Sequence, residues 1–192
     1  MAARASCILE CRLCPRVVAG SGVEGRGPTS ARVMFVGEAP GRLGAGRTGV
    51  PFLGDESGRR FERLLGEAGL TREEVRVTNA VRCLPLDVSG RNRRPLTSEV
   101  RACNGWLAEE LDAVRPGLVV ALGAVALAAL GSLEEHGLVL SRDVGRVVAW
   151  RGSSMACVYH PGARSAVHRP WEAQVRDFRR AVGEFRGGGG DR

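Results

Sequence analysis

What most limits the folds open to this chain is a repeated alternation of short apolar, β-rich runs with segments of helical periodicity. Parallel strands cannot be joined by a tight hairpin, so such alternation predicts a mostly parallel sheet with helices on both faces. The β-rich runs are Arg32 to Val36, Val75 to Asn79 and Leu118 to Leu122. Between the first two, Ser57 to Ala68 places Phe61, Leu64, Leu65 and Ala68 on one helical face, and Gly69 follows as a stop. Thr71 and Glu74 have capping-box spacing, but the run behind them is too short for a full helix. A helix is predicted from about Thr97 to Val114, with Leu107, Leu111 and Val114 inward and Pro116-Gly117 ending it. A short Ala-rich helix follows Gly123 and runs to Leu130. Arg146 to Trp150 and Met155 to Tyr159 read as a hairpin closing the sheet, and an amphipathic helix spans roughly Pro170 to Phe185.

With 192 residues, 44% of them hydrophobic, the chain can bury one sizeable core and is short for two. The expectation is therefore a single three-layer α/β/α domain over residues 1–186 with a small, mostly parallel central sheet. Residues 187–192, mostly glycine, read as a flexible tail. No run of 18 apolar residues occurs and the N-terminus lacks a long apolar stretch, so a cytoplasmic protein off the membrane is expected; a monomer is expected as well.

The formal net charge is +7, which favours a phosphate-bearing partner, nucleic acid first among them. All 28 basic side chains are arginine. Without lysine the chain cannot form a Lys Schiff base or complete a P-loop, so water is the expected nucleophile in any attack on a nucleotide.

Three polar residues fall just beyond the carboxyl ends of predicted strands: Glu38, Asn79 and His160. In open α/β sheets that edge is where ligands bind. His136 and His168 lack such a context.

Cys11 and Cys14 form a C-x-x-C pair, while Cys83 and Cys103 lie in the loop after the second strand and near the start of the next helix. Four thiolates drawn together by the fold suit either zinc or a [4Fe–4S] cluster, and spacing alone does not separate the two. Ordinary buried thiols remain an equal alternative at this point. Cys157, in an apolar strand, reads as core, and Cys7 as a spare.

Taken in order, the polar segments form a more specific set. Gly37-Glu38-Ala39-Pro40-Gly41 follows the first strand, and Arg47 to Gly54 comes soon after, containing Pro51-Phe52. Thr78 to Cys83, Asn92-Arg93-Arg94-Pro95 with Glu99, and His160-Pro161 complete it. From about Cys11 to the final helix, the chain resembles the uracil-DNA glycosylases that carry a [4Fe–4S] cluster, known as families four and five. Glu38 resembles family four. Cys14 to Val18, Gly44 to Gly49 and Gly54-Asp55 resemble family five, so the chain combines both patterns. It departs from them at Gly162-Ala163-Arg164, where a bulky apolar wedge is often placed, and it lacks the inserted histidine of relatives that bond covalently to DNA.

The resemblance implies a monofunctional DNA glycosylase of base excision repair that hydrolyses the N-glycosidic bond of uracil and leaves an abasic site. A broader hypoxanthine or xanthine glycosylase and an inactive iron–sulfur DNA-binding module are the alternatives. It implies that Asn79 reads the uracil edge, since an amide offers a donor and an acceptor together, and that Phe52 stacks on the ring. Gly37, Ala39, Pro40 and Gly41 would bring backbone close to the base. His160 would donate a hydrogen bond to uracil O2 as charge accumulates, and Glu38, or else Asp55, would handle water. Arg82, Arg91, Arg93, Arg94 and Arg164 are expected phosphate contacts. Cys11, Cys14, Cys83 and Cys103 would hold the cluster.

Overall fold

The computed structural model describes residues 7–187. Its strands are β1 (Val33–Gly37), β2 (Val75–Asn79), β3 (Leu118–Leu122), β4 (Val147–Trp150) and β5 (Ser153–Val158). The α-helices are α1 (Ala45–Thr48), α2 (Glu56–Glu67), α3 (Thr97–Val114), α4 (Ala124–Gly131), α5 (Ala163–His168) and α6 (Trp171–Gly187). They build one five-stranded sheet in the order β2-β1-β3-β5-β4. Only the edge strand β4 runs antiparallel, paired with β5 in the expected hairpin. The expected three-layer α/β/α domain is thus observed.

Every residue of β1 and β3 is buried, because helices cover both sheet faces. One side chain set, including Phe35, Val77, Val120 and Val158, packs with Phe61, Leu64 and Leu65 of α2 and Phe178 and Val182 of α6. The alternate set, Met34, Val36, Val119, Ala121 and Met155, meets Leu107 and Leu111 of α3 and Ala126 and Leu130 of α4. Cys157 belongs to this second layer, as its apolar strand predicts.

The helix stops have local causes. Arg115 adopts a left-handed conformation (φ 47°) at the end of α3, and Pro116 cannot continue the helix. Thr71 and Glu74 do form a capping box, around one 3-10 turn, Arg72–Glu74. Gly187, expected to begin the tail, instead closes α6; residues 188–192 lie outside the described residues, as do 1–6.

The chain crosses from β1 to β2 on one side and then from β2 back past β1 to β3 on the other, so the strand order reverses at the carboxyl ends of β1 and β3 and opens a crevice there. Residues following β1, β2, β3 and β5 all open onto that edge.

Candidate active site

A cleft of about 510 Å³ lies at this edge, and its lining includes Glu38, Phe52, Asn79, Gly123, His160 and Arg164. The three strand-end residues predicted to act together therefore share one cavity. Ala39, Pro40, Gly41 and Asp55 line it as well.

Its floor is set by backbone register. Gly37 stands opposite Asn79 in the β1–β2 ladder. A Cβ on Gly37 would come within 2.5 Å of both Asn79 Oδ1 and Phe52 Cε2, so the amide and the ring close against bare backbone there. Asn79 is 2% exposed, so its amide is sheltered from bulk solvent at the cleft.

Phe52 holds a positive φ of 53°, an uncommon state for a residue with a bulky side chain. Three contacts support it. The Arg72 guanidinium, paired with Glu62 at 2.7 Å, donates to the Pro51 carbonyl. Gly58 packs bare against the Phe52 carbonyl, where a Cβ would approach to 2.5 Å. The Phe52 ring also meets Phe61 at 4.9 Å, extending the core aromatic contact of Phe35 with Phe61, 5.3 Å, out to the cleft.

The His160 imidazole lies 5.5 Å from the Phe52 ring, tilted by 37°. Its Nδ1 accepts the Gly162 N–H at 3.0 Å, which leaves the proton of the neutral ring on Nε2. Burial pushes its pKa down to about 4; Asp55 opposes that shift and Arg164 adds to it. The ring is therefore neutral at physiological pH.

Burial raises the pKa of Glu38 above the usual carboxylate value, while Arg94 and Arg164 pull it back. Both arginines are exposed and both line the cleft. Asp55 is the N-cap of α2, with Oδ1 accepting the Gly58 N–H at 2.9 Å. Its Oδ2 faces Gly44 and Gly41, whose missing side chains leave room for it. An Asp followed three residues later by a buried Gly at the head of a helical pattern is a legible N-cap signal, and it gives Asp55 a structural role that the carboxylate chemistry alone does not suggest.

Of the five expected phosphate contacts, Arg82 is corrected, and Arg93, which lines the cleft, is engaged in an ion pair. Arg82 is 5% exposed and its guanidinium pairs with Glu110 on α3, which also holds Arg76 at 2.6 Å. Arg93 makes a two-pronged pair with Glu99, at 2.6 and 2.8 Å, and donates to the Arg16 carbonyl at 2.7 Å. Both arginines are occupied within the fold, and an Arg-rich loop read without its acidic partners does not reveal this. Arg91 is exposed and near Asp87 and Ser89.

Away from the cleft, Cys11, Cys14, Cys83 and Cys103 line a second, small cavity with Ile8, Leu13, Val17, Val81 and Ala102. The N-terminal segment reaches it by pairing with the loop after β2: Val18 N–H donates to Leu84 O and Val23 N–H to Arg82 O. Burial, then mutual repulsion, pushes the Cys14 thiol up to about 11 and the Cys83 thiol up to about 12. Cys103 is raised mainly by burial, and its Sγ accepts the Arg82 N–H at 3.3 Å. Among the described residues no group of three or more His, Cys, Asp or Glu is gathered to hold a metal ion. No described helix is long and apolar enough to cross a membrane.

Comparison with known proteins agrees with this geometry. The family model for the uracil DNA glycosylase superfamily matches residues 24–185. A type-4 uracil-DNA glycosylase of Archaeoglobus fulgidus is 34% identical over 188 residues, covering 94% of this chain and 90% of that protein. A type-5 uracil-DNA glycosylase of Pyrobaculum aerophilum is 35% identical over 191 residues, covering 80% of this chain and 79% of that protein. A type-4 uracil-DNA glycosylase of Thermotoga maritima is 32% identical, covering 80% of this chain and 77% of its own length. Similarity to both types parallels the mixed pattern of the loops, and the chain belongs to the uracil DNA glycosylase superfamily.

Proposed function

We propose that this chain is a monofunctional uracil-DNA glycosylase that hydrolyses the N-glycosidic bond of uracil in DNA and leaves an abasic site. The single observation that carries this reading is the convergence of Phe52, Asn79 and His160 on one cleft. An enzyme working on a base must take it out of the stack and read its edge in a pocket. Phe52 offers the stacking face. Asn79 offers the donor and acceptor that match uracil O4 and N3–H.

Bond cleavage sends negative charge onto the departing uracil and leaves the sugar oxocarbenium-like. The neutral His160, with its proton on Nε2, donates to uracil O2 as that charge grows. A base that stays neutral costs no extra proton on approach and is complementary to the anion only as it forms. Glu38 directs water to C1′. Its raised pKa makes it a better base than an exposed carboxylate, and the two flanking arginines keep it ionised. Asp55 steadies the loop by capping α2. Arg94 and Arg164, beside Glu38, contact phosphates, and the exposed Arg91 is a further candidate.

Cys11, Cys14, Cys83 and Cys103 would hold a [4Fe–4S] cluster. An all-sulfur donor set around an apolar cavity suits it, and the raised thiol pKa values mark a place where thiolates need a positive neighbour. The likeness to type-4 and type-5 uracil-DNA glycosylases, and the resemblance to families four and five that carry such a cluster, favour it over zinc. Held by these four residues, a cluster would link the N-terminal segment to the loop that follows Asn79.

The test is a duplex or single strand carrying one uracil: the purified protein should convert it to an alkali-labile site, and His160→Ala and Asn79→Asp should both slow the conversion. Normal rates in both variants would remove the assignment.

A further inference from the structure

Helix α2 meets the cleft at a residue with no role in the chemistry above. The Arg60 Nε donates to the Pro161 carbonyl at 3.0 Å, across the packed faces of two elements far apart in sequence. The Pro161 carbonyl shares its peptide unit with the Gly162 N–H, so this bond fixes the unit whose N–H meets the imidazole. The Arg60 guanidinium is itself held over the Trp171 ring of α6, 5.2 Å from its centroid, and Arg63 covers the same ring at 4.3 Å. Beyond Pro161, Gly162 turns its N–H back onto His160 Nδ1, and a Cβ there would come within 2.9 Å of that nitrogen. The imidazole thus depends on a loop held by the Gly162 N–H on Nδ1, by the Gly162 carbonyl at the start of α5, and by Arg60 on the Pro161 carbonyl.

We infer that Arg60 is a positioning residue for His160: it holds the Pro161 carbonyl so that the imidazole stays over the cleft beside Phe52 with its Nδ1 on the Gly162 N–H. Its catalytic consequence rests on the function proposed above. A misplacement of about 1 Å at a reacting group costs on the order of a hundredfold in rate, so a loosened loop should act on the chemical step more than on DNA binding.

Arg60→Met keeps the aliphatic stem and removes the donor, and Arg60→Lys keeps one donor and the charge. His160, His136 and His168 are the three histidines of the chain, which makes imidazole titration by NMR direct. In Arg60→Met the His160 resonance should titrate closer to the ordinary pH range than in the parent, with His136 and His168 unmoved. Arg60→Lys should restore most of the parent behaviour. Single-turnover uracil release should fall about tenfold or more in Arg60→Met with DNA affinity retained, and this loss should vanish when His160 is already alanine. An unchanged His160 titration, or an equal loss in the His160→Ala background, would overturn the inference. If the parent protein releases no uracil, the proposed function fails by itself and the titration alone decides the role of Arg60.

Discussion

The Asn79 amide and the Phe52 ring meet over a glycine: both would lie 2.5 Å from a Cβ placed on Gly37. That closeness ties the recognition of a base edge to the stacking of its face through one small residue at the end of β1. Gly37→Ala should therefore push the amide, the ring or both, lowering uracil release by about tenfold or more and costing about 1–3 kcal/mol of stability through overpacking. Kinetics and thermal melting of the one variant check both halves.

His160→Ala removes the donor to the growing anion. The loss of one such donor is expected to reduce the chemical step by about 10²- to 10³-fold with little change in binding. Single-turnover rates at saturating enzyme measure it.

The two titrating groups in the cleft shift in opposite directions, and the pH profile should separate them. His160, held near pH 4, is already neutral throughout the ordinary working range and should leave no inflection near 6.5. Glu38 is raised, so the rate should fall on the acid side as it takes up a proton above the usual carboxylate range, and Glu38→Gln should abolish that limb. For stability the signs also oppose. Folded His160 binds fewer protons than the unfolded chain between about pH 4 and 6.5, so it weakens the fold as pH falls through that window. Glu38 stabilises below its ordinary value, and that contribution is lost as pH rises through its raised one.

The arginines divide into two classes. Arg82→Met leaves Glu110 with a buried, half-compensated charge and should destabilise the protein by about 3–5 kcal/mol. Arg94→Ala and Arg164→Ala should leave the melting temperature unchanged, weaken DNA binding, and each reduce the salt dependence by about one counterion.

This division marks where the sequence was readable and where it was not. The strand spans Val75–Asn79 and Leu118–Leu122 and the helix Thr97–Val114 are predicted to the residue, because strong periodicity, Pro116 and the turn residues all agree there. The short helices Ala45–Thr48 and Ala163–His168 escape, since four to six residues are too few to show a period. In the site, Glu38, Asn79 and His160 are legible from their places at strand ends. The occupations of Arg82 by Glu110 and of Arg93 by Glu99 are not, because an ion pair across the fold has no local signature. Asp55 is visible as a carboxylate, but its capping of Gly58 is readable only if the helix start is placed first.

The thiol site gives a colour test. Protein purified without oxygen should be brown with broad visible absorbance, and Cys83→Ser should lose that absorbance together with thermal stability. A colourless protein containing zinc would contradict the cluster.

The most direct measurement of the central claim is base release from matched oligonucleotides carrying uracil, hypoxanthine, xanthine or thymine at one position. The proposed site predicts free uracil and an intact, alkali-labile abasic strand, with uracil processed fastest. Tight binding to the uracil strand with no base released, or release that is undiminished in both His160→Ala and Asn79→Asp, would contradict it.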